Sequence, residues 1–338
     1  MRVAAPKSLA WARERVTPVL AAAAATLAPP LRRIVEYHWG WVDVDGKPVD
    51  APAGKALRPT LALLSAAAVG KPSGCAEAAA AAVEIVHDFT LLHDDVMDGD
   101  RERRHRESAW SAFGVGPAIC AGDALVLLAQ RLLLDDPSPA RAAALSALTD
   151  AAAEVIAGQM DDLSFEGRDD VTLDAYLAMA GRKTGALLAC SASIGAILAE
   201  GPDAAVRELH AFGASLGLAF QAVDDWLGIW GDPARTGKPV ASDLRQRKAS
   251  LPLVFARTAS GAAARELRGL LDGGAAFDEA SLARGVELLG ACGAERCTRE
   301  EAQRRTTDAH AALERAPIDS IARDALHELA HFVVEREL

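Results

Sequence analysis

The sequence is poor in aromatic residues, 5% of its 338 positions, although 51% of it is hydrophobic. Its apolar content is mostly Ala, Leu and Val, and the alanine clusters favour helix over strand. No stretch alternates as a half-buried strand does, and no fixed-period repeat is present, so an all-α fold is expected. It also lacks paired cysteines. Cys75, Cys120, Cys190, Cys292 and Cys297 are odd in number and contain no CxxC pair, which argues against a disulfide framework or a zinc ribbon. They are expected to be reduced, buried thiols of a cytoplasmic protein. A basic excess is missing too: 36 Lys and Arg face 47 Asp and Glu, a net charge of -11, with no basic stripe for nucleic acid. No uncharged apolar run reaches the length of a bilayer span. Arg2, Lys7, Arg13 and Arg15 before "VTPVLAAAAATLA" give the N-terminus a faint look of a signal peptide, but Glu14 and Pro18 interrupt it, so an amphipathic first helix is expected. No linker rich in Pro, Gly or Ser divides the chain, which predicts one domain over residues 1–338.

What is present is a series of helix-length segments separated by breakers. These include "APP" at 28–30, "DVDGKPVDAPAGK" at 43–55, "GKPSG" at 70–74, "GVGP" at 114–117, "DDPSP" at 135–139, "EGRDD" at 166–170, "EGPD" at 200–203, "GDPARTGKP" at 231–239 and "DGG" at 272–274. Segments 74–98, 117–135 and 203–230 are apolar around most of their circumference, which predicts helices surrounded by other helices in a single bundle.

Two of these segments end in acid. "HDFTLLHDDVMDGDRERR" runs from His87 to Arg104, and helical spacing places Asp94 and Asp98 on one face with Asp95 beside them. Like charges one turn apart oppose a helix unless something compensates them. Some 130 residues later "GLAFQAVDDWLGIWGD" repeats the arrangement with Asp224 and Asp225 after Gln221. Two such helices facing each other would line a cleft with carboxylate. Acidic oxygens without His or Cys suit magnesium, which bridges carboxylates to phosphates. Cations for such a phosphate stand at breaker positions: Lys55, Arg58, Arg103, Arg104, Lys183, Lys238 and Lys248. Together with the aspartate pairs they describe a diphosphate cage.

From about residue 50 to 255 the chain resembles the trans-isoprenyl diphosphate synthases, the polyprenyl synthetase family that includes farnesyl and geranylgeranyl diphosphate synthases. The likeness is carried by "GKALRP", "EIVHDFTLLHDDVMD", "RR", "AGDALV", "GQMDDL", "KTG", "FQAVDD" and "GKPVASDLRQRKASLP" in that order. It implies an all-α bundle around a deep central cavity, commonly a homodimer, that condenses an allylic diphosphate with isopentenyl diphosphate using three magnesium ions. By the same resemblance Asp94 and Asp98, with Asp95 between them, hold two ions and Asp224, beside Asp225, holds the third. Arg103, Lys183, Lys238 and Lys248 grip the allylic diphosphate. Lys55, Arg58, His87 and Arg104 hold isopentenyl diphosphate, and Gln159, Asp162 and Gln221 line the cleft.

Two positions depart from the family pattern. The last carboxylate of the second DDxxD is Gly228, and Ala56 replaces an arginine in "GKALRP". Phe89 and Thr90, five and four residues before Asp94, stand on the wall down which a growing tail would run. One aromatic, one small residue and no insertion between Asp94 and Asp98 resemble enzymes that make the twenty-carbon product. A geranylgeranyl diphosphate synthase is therefore expected, with a farnesyl diphosphate synthase as the near alternative. A terpene cyclase on the same scaffold competes with this reading, and Gly228 motivates a non-catalytic modulatory subunit. "HELAH" at 327–331 matches the HExxH zinc pattern, but it has no suitable third ligand downstream and is taken as chance histidines on a terminal helix.

Overall fold

The computed structural model describes residues 5–49, 51, 54–232, 240–273 and 276–335. Helices α1 (Lys7–Ala24) and α2 (Pro29–His38) meet at the "APP" break, where Pro29 and Pro30 open α2, positions at which a missing N–H costs nothing. Next come α3 (Leu57–Ala68), a short 3₁₀ turn (Ser73–Ala76) and α4 (Glu77–Met97). The first of the three predicted core helices therefore starts a few residues later than its pattern suggested, because "SGCA" closes as the tighter turn. Then follow α5 (Ala109–Phe113), α6 (Val115–Leu134), α7 (Pro139–Phe165) and α8 (Leu173–Ala180). A π-helical turn, Gly181–Gly185, joins α8 to α9 (Ala186–Leu198). After α10 (Asp203–Trp230) come α11 (Ser242–Gln246), α12 (Leu251–Thr258), α13 (Ala262–Asp272), α14 (Glu279–Ala291), α15 (Ala294–Arg315) and α16 (Ser320–Glu335).

Local chemistry marks several starts. Ser138 accepts from the Arg141 N–H at the head of α7, Thr172 from the Ala175 N–H at α8, and Asp278 with Ser281 closes a capping box on α14. Antiparallel strands β1 (Glu102–Arg103) and β2 (Arg106–Glu107) correct the expectation of no strand. They are two residues long, too short for alternation to register, and Arg104 and His105 between them take left-handed backbone angles.

Helix α10 packs between α9 and α15, α4 lies against α6 and α3, and α3 against α9. Ala79–Ala82 on α4 are fully buried, and such small side chains let neighbouring helices approach closely. One apolar cluster gathers around α4 and α6 (Ile85, Leu92, Leu125). A second forms around α9 and α10 (Leu188, Phe212, Leu216), and a third around the end of α10 (Ile229, Leu244, Leu253). Each fully buried Leu or Phe contributes about 1.5–3 kcal/mol. The cysteines only partly follow expectation: Cys190 is buried, Cys292 and Cys297 are half-buried, and Cys75 and Cys120 are exposed, because both lie on the outer side of their elements. His327 of "HELAH" sits on α16, stacked on His310 of α15, with Nε2 3.0 Å from Glu314 Oε1.

Candidate active site

The acid end of α4 divides its carboxylates by direction. Asp95 is 1% exposed and takes a bidentate guanidinium, Arg103 Nε donating at 2.7 and 2.9 Å to its two oxygens. The β1–β2 hairpin turns the chain back so that Arg103 can reach it. Asp94 and Asp98, one turn apart, are left facing the cleft. Partial burial pushes Asp94 up to about 6, with the Asp98 carboxylate adding to the effect against the opposing pull of Lys183 and Arg103. Asp98 is raised as well, by desolvation first, against Lys183 and Lys248.

On α10 the second pair splits the same way. Asp224 is exposed and near enough to Arg58 for their charges to interact. Asp225, 3% exposed, points into the bundle, where it accepts from the Tyr176 hydroxyl, from Leu251 N–H at 2.7 Å and from Gln221 Nε2 at 2.9 Å. Burial, together with the nearby Asp243 charge, pushes Asp225 up to about 7. Gln221 Oε1 in turn accepts from Thr184 Oγ1 at 2.7 Å. The structure thus places Asp225 and Gln221, expected at the substrate, as the fastening between α8, α10, α12 and the π-turn.

That π-turn presents Lys183, whose Nζ is 2.6 Å from Asp162 Oδ2 on α7. The two elements approach at Gly158: a Cβ there would come within 2.8 Å of Lys183 Cα, so no side chain fits. Lys248 lies across the cleft. Desolvation would lower its pKa, but Asp162, Asp243, Asp225 and Asp98 overcome this and raise it. The charges of Asp98 at the end of α4 and of Asp225 and Asp243 at the end of α10 thus both act on one ammonium. Gln159, 7% exposed, donates to Met97 Sδ at 3.7 Å beneath the end of α4.

A second cationic corner lies at the start of α3. His87 is pushed well below its usual range by burial and by Arg58, Arg104 and Arg103, which surround it. Arg58 Nε is buried without a partner among the described residues. Glu84 is driven up to about 7 by burial and by Asp88, in spite of Arg58 and Arg104. Arg104 lies beside Gly54, its Nη2 3.0 Å from where a Cβ would stand there. Lys55 is exposed at the rim. Lys238 lies outside the described residues. Phe89 is buried, with its ring edge on His93 at 5.0 Å, and Thr90 donates to the His87 carbonyl at 2.7 Å.

These residues fit divalent metal and diphosphate. The donors are carboxylates, two of them held above their usual pKa chiefly by burial, in spite of the lysines nearby, and an orphaned guanidinium nitrogen waits in the cationic corner. Among the described residues no three acidic, His or Cys side chains form a complete cage. An ion here would complete its shell with oxygens from water and ligand, as magnesium does. Tyr176, Glu84 and Asp243 were not singled out by the sequence. Of these Glu84 and Asp243 stand in quoted motifs and Tyr176 in none.

A model of the polyprenyl synthetase family matches residues 47–288. The chain belongs to the polyprenyl synthetase family. It is 44% identical over 97% of its length to a (2E,6E)-farnesyl diphosphate synthase of Mycobacterium tuberculosis, covering 92% of that protein. It is 42% identical over 96% of its length to a geranylgeranyl diphosphate synthase of the same organism, again covering 92%. Its structure superposes on that of a polyprenyl synthetase from Streptomyces coelicolor with a TM-score of 0.93 at 46% identity, covering 97% of this chain and 98% of the other. The protein is a prenyltransferase of the trans-prenyl diphosphate synthase class, and its all-α architecture is that of the family.

Proposed function

We propose that this polyprenyl synthetase condenses an allylic diphosphate with isopentenyl diphosphate to give geranylgeranyl diphosphate, with magnesium as cofactor. The observation that carries this reading is Lys248, on whose ammonium the carboxylates of α4 and those beside α10 both act. It supports one cleft in which two acidic helix ends and several cations surround a diphosphate. Asp94 and Asp98 on one wall and Asp224 on the other would hold the ions, which when bound neutralise the leaving diphosphate. Lys183 and Lys248 reach the same anion, and Arg103, fixed by Asp95, orients the hairpin beside it. Arg58, Arg104 and neutral His87 receive isopentenyl diphosphate and hold its double bond near the ionising carbon, making attack effectively unimolecular. The apolar wall of α4 keeps water from the cation.

The twenty-carbon product rests on one aromatic, Phe89, above the small Thr90 in the wall. The competing cyclase would need no isopentenyl corner, and Arg58, His87 and Arg104, with Lys55, support one here. Radiolabelled isopentenyl diphosphate offered with dimethylallyl, geranyl and farnesyl diphosphate in turn, followed by product sizing, tests this directly. A C20 product is expected; a hydrocarbon from farnesyl diphosphate alone would identify the cyclase, and a C15 end product the shorter synthase.

Among the described residues α6 is the one helix long and apolar enough to cross a bilayer, by length and composition only. Its Leu127 (67% exposed), together with Ile119, Val115, and Ile156 and Met160 of α7, supports a different use, burial in a homodimer of a soluble, cytoplasmic, single-domain protein. Light scattering should give twice the 35.3 kDa chain mass. A monomer would remove the dimer from the proposal.

A further inference from the structure

Resting on the assignment of Arg104 to isopentenyl diphosphate, we propose that Arg106 and Tyr37 are positioning residues for that substrate: they fasten the β1–β2 hairpin to the end of α2 and so hold Arg104 at the cationic corner. The hairpin cannot hold itself. Each strand has two residues, too few to be stable alone, and the turn between them is Arg104 and His105, with φ of 53° and 63°. Asparagine and glycine take such angles readily, whereas arginine keeps them only where the surroundings fix the backbone. The outgoing strand is fixed through Arg103, whose Nε donates to both oxygens of Asp95 on α4. The returning strand needs a fixture of its own.

Arg106 supplies it. This residue pairs with Arg103 across the hairpin. Its guanidinium donates from Nη1 to the Tyr37 carbonyl at 3.1 Å and from Nη2 to the Val42 carbonyl at 2.9 Å. The Tyr37 carbonyl belongs to the last turn of α2, where helix carbonyls lack intrahelical partners and a cation is favoured. The same guanidinium lies over the Tyr37 ring, 4.4 Å from its centre. Tyr37 closes the contact from the other side: its hydroxyl donates to the Glu107 carbonyl of β2 at 2.9 Å, and its ring meets Phe113 of α5 edge-on at 5.1 Å. Both residues of β2 are thus tied to Tyr37, which is itself buried. With β1 held to α4 and β2 to α2, the turn that carries Arg104 is suspended between two helices. Cutting the α2 contact leaves Arg103 on Asp95 and frees the turn to pivot about it.

A clasp of this kind acts on one substrate, whereas a merely structural contact would weaken both alike. Steady-state kinetics with each substrate varied in turn, and thermal melting in parallel, read the difference. Tyr37→Phe keeps both ring contacts and removes one hydrogen bond, so KM for isopentenyl diphosphate should rise about fivefold, with kcat and the KM of the allylic primer within about twofold of the parent. Arg106→Met removes both carbonyl contacts and should raise the same KM about tenfold or more. Joining the two should cost less than the product of the separate effects, since both act through one strand. An isopentenyl diphosphate KM unchanged in both variants, a rise in both substrates' KM that tracks a fall in Tm, or a double variant whose effects simply multiply would overturn the inference. Arg104→Met separates this from the assignment of the corner itself. If it leaves the KM of isopentenyl diphosphate unchanged, that assignment fails; if it raises that KM while Tyr37→Phe and Arg106→Met do not, only the clasp is wrong.

Discussion

Neighbouring aspartates do different work here because successive helical residues are about 100° apart. Asp224 faces the cleft; Asp225 collects three donors inside the bundle. Replacing Asp224 by Asn should leave Tm within roughly 2 °C and lower kcat by about a hundredfold or more, since it removes an ion ligand and little packing. Replacing Asp225 by Asn turns one of its acceptors into a donor against Tyr176, Leu251 or Gln221. Near pH 8 that should cost about 1–3 kcal/mol of stability, seen by calorimetry or denaturant unfolding. An Asp225→Asn protein of normal stability and no activity would instead place Asp225 at the chemistry. The sequence shows only two adjacent acids, and their separation becomes visible with the rotation of α10 and with Tyr176, 49 residues away, beside it.

At the scale of elements, the long helices were legible because breakers and composition agree. "EGPD" and the Gly-Asp-Pro break bound α10 at 203 and 230, and the α6 pattern is met within two residues at each end. The β1–β2 hairpin was not legible, since "RERRHRE" has no apolar face and is held by tertiary polar contacts, Arg103 with Asp95 and Arg106 donating to the Tyr37 and Val42 carbonyls. The π-turn was hidden by helical sequence on both sides. The exposure of Cys75 and Cys120 depends on which side of each element the bundle covers, and residue type alone does not determine it. The role of α4 as a wall is testable through Phe89, buried against His93. Phe89→Ala should lower stability by about 3–5 kcal/mol through the cavity it leaves, and chromatography of labelled product should show chains longer than those of the parent. An unchanged product would take Phe89 out of length control.

For the whole molecule, Asp94, Asp98, Asp225 and Glu84 share one sign of shift. Asp94 stands at about 6, and Asp225 and Glu84 at about 7, all raised chiefly by burial. The folded protein therefore holds protons that the unfolded chain, near its ordinary carboxylate range, has released. Stability from these groups is present below about pH 4 and is lost as pH rises through 6 to 7. Without ligand, Tm should fall by on the order of 5 °C between pH 5 and pH 8. Magnesium with pyrophosphate needs Asp94 deprotonated, so its stabilisation should grow over the same interval. A ligand-induced Tm shift that is flat or shrinks with rising pH would contradict the assignment.

The wide turn at Gly181–Gly185 amounts to one additional residue threaded into an otherwise continuous rod from α8 to α9. Excising a single residue there would re-phase everything beyond it by about 100°. Leu188 and Ile194, now sealed in the interior, would be swung toward the flank of the rod, and Lys183 would lose its hold on Asp162. Deletions in this chain should accordingly be tolerated in the flanking loops and refused at that loosened coil, where one amino acid keeps the upstream and downstream halves of a helix in step with different neighbours.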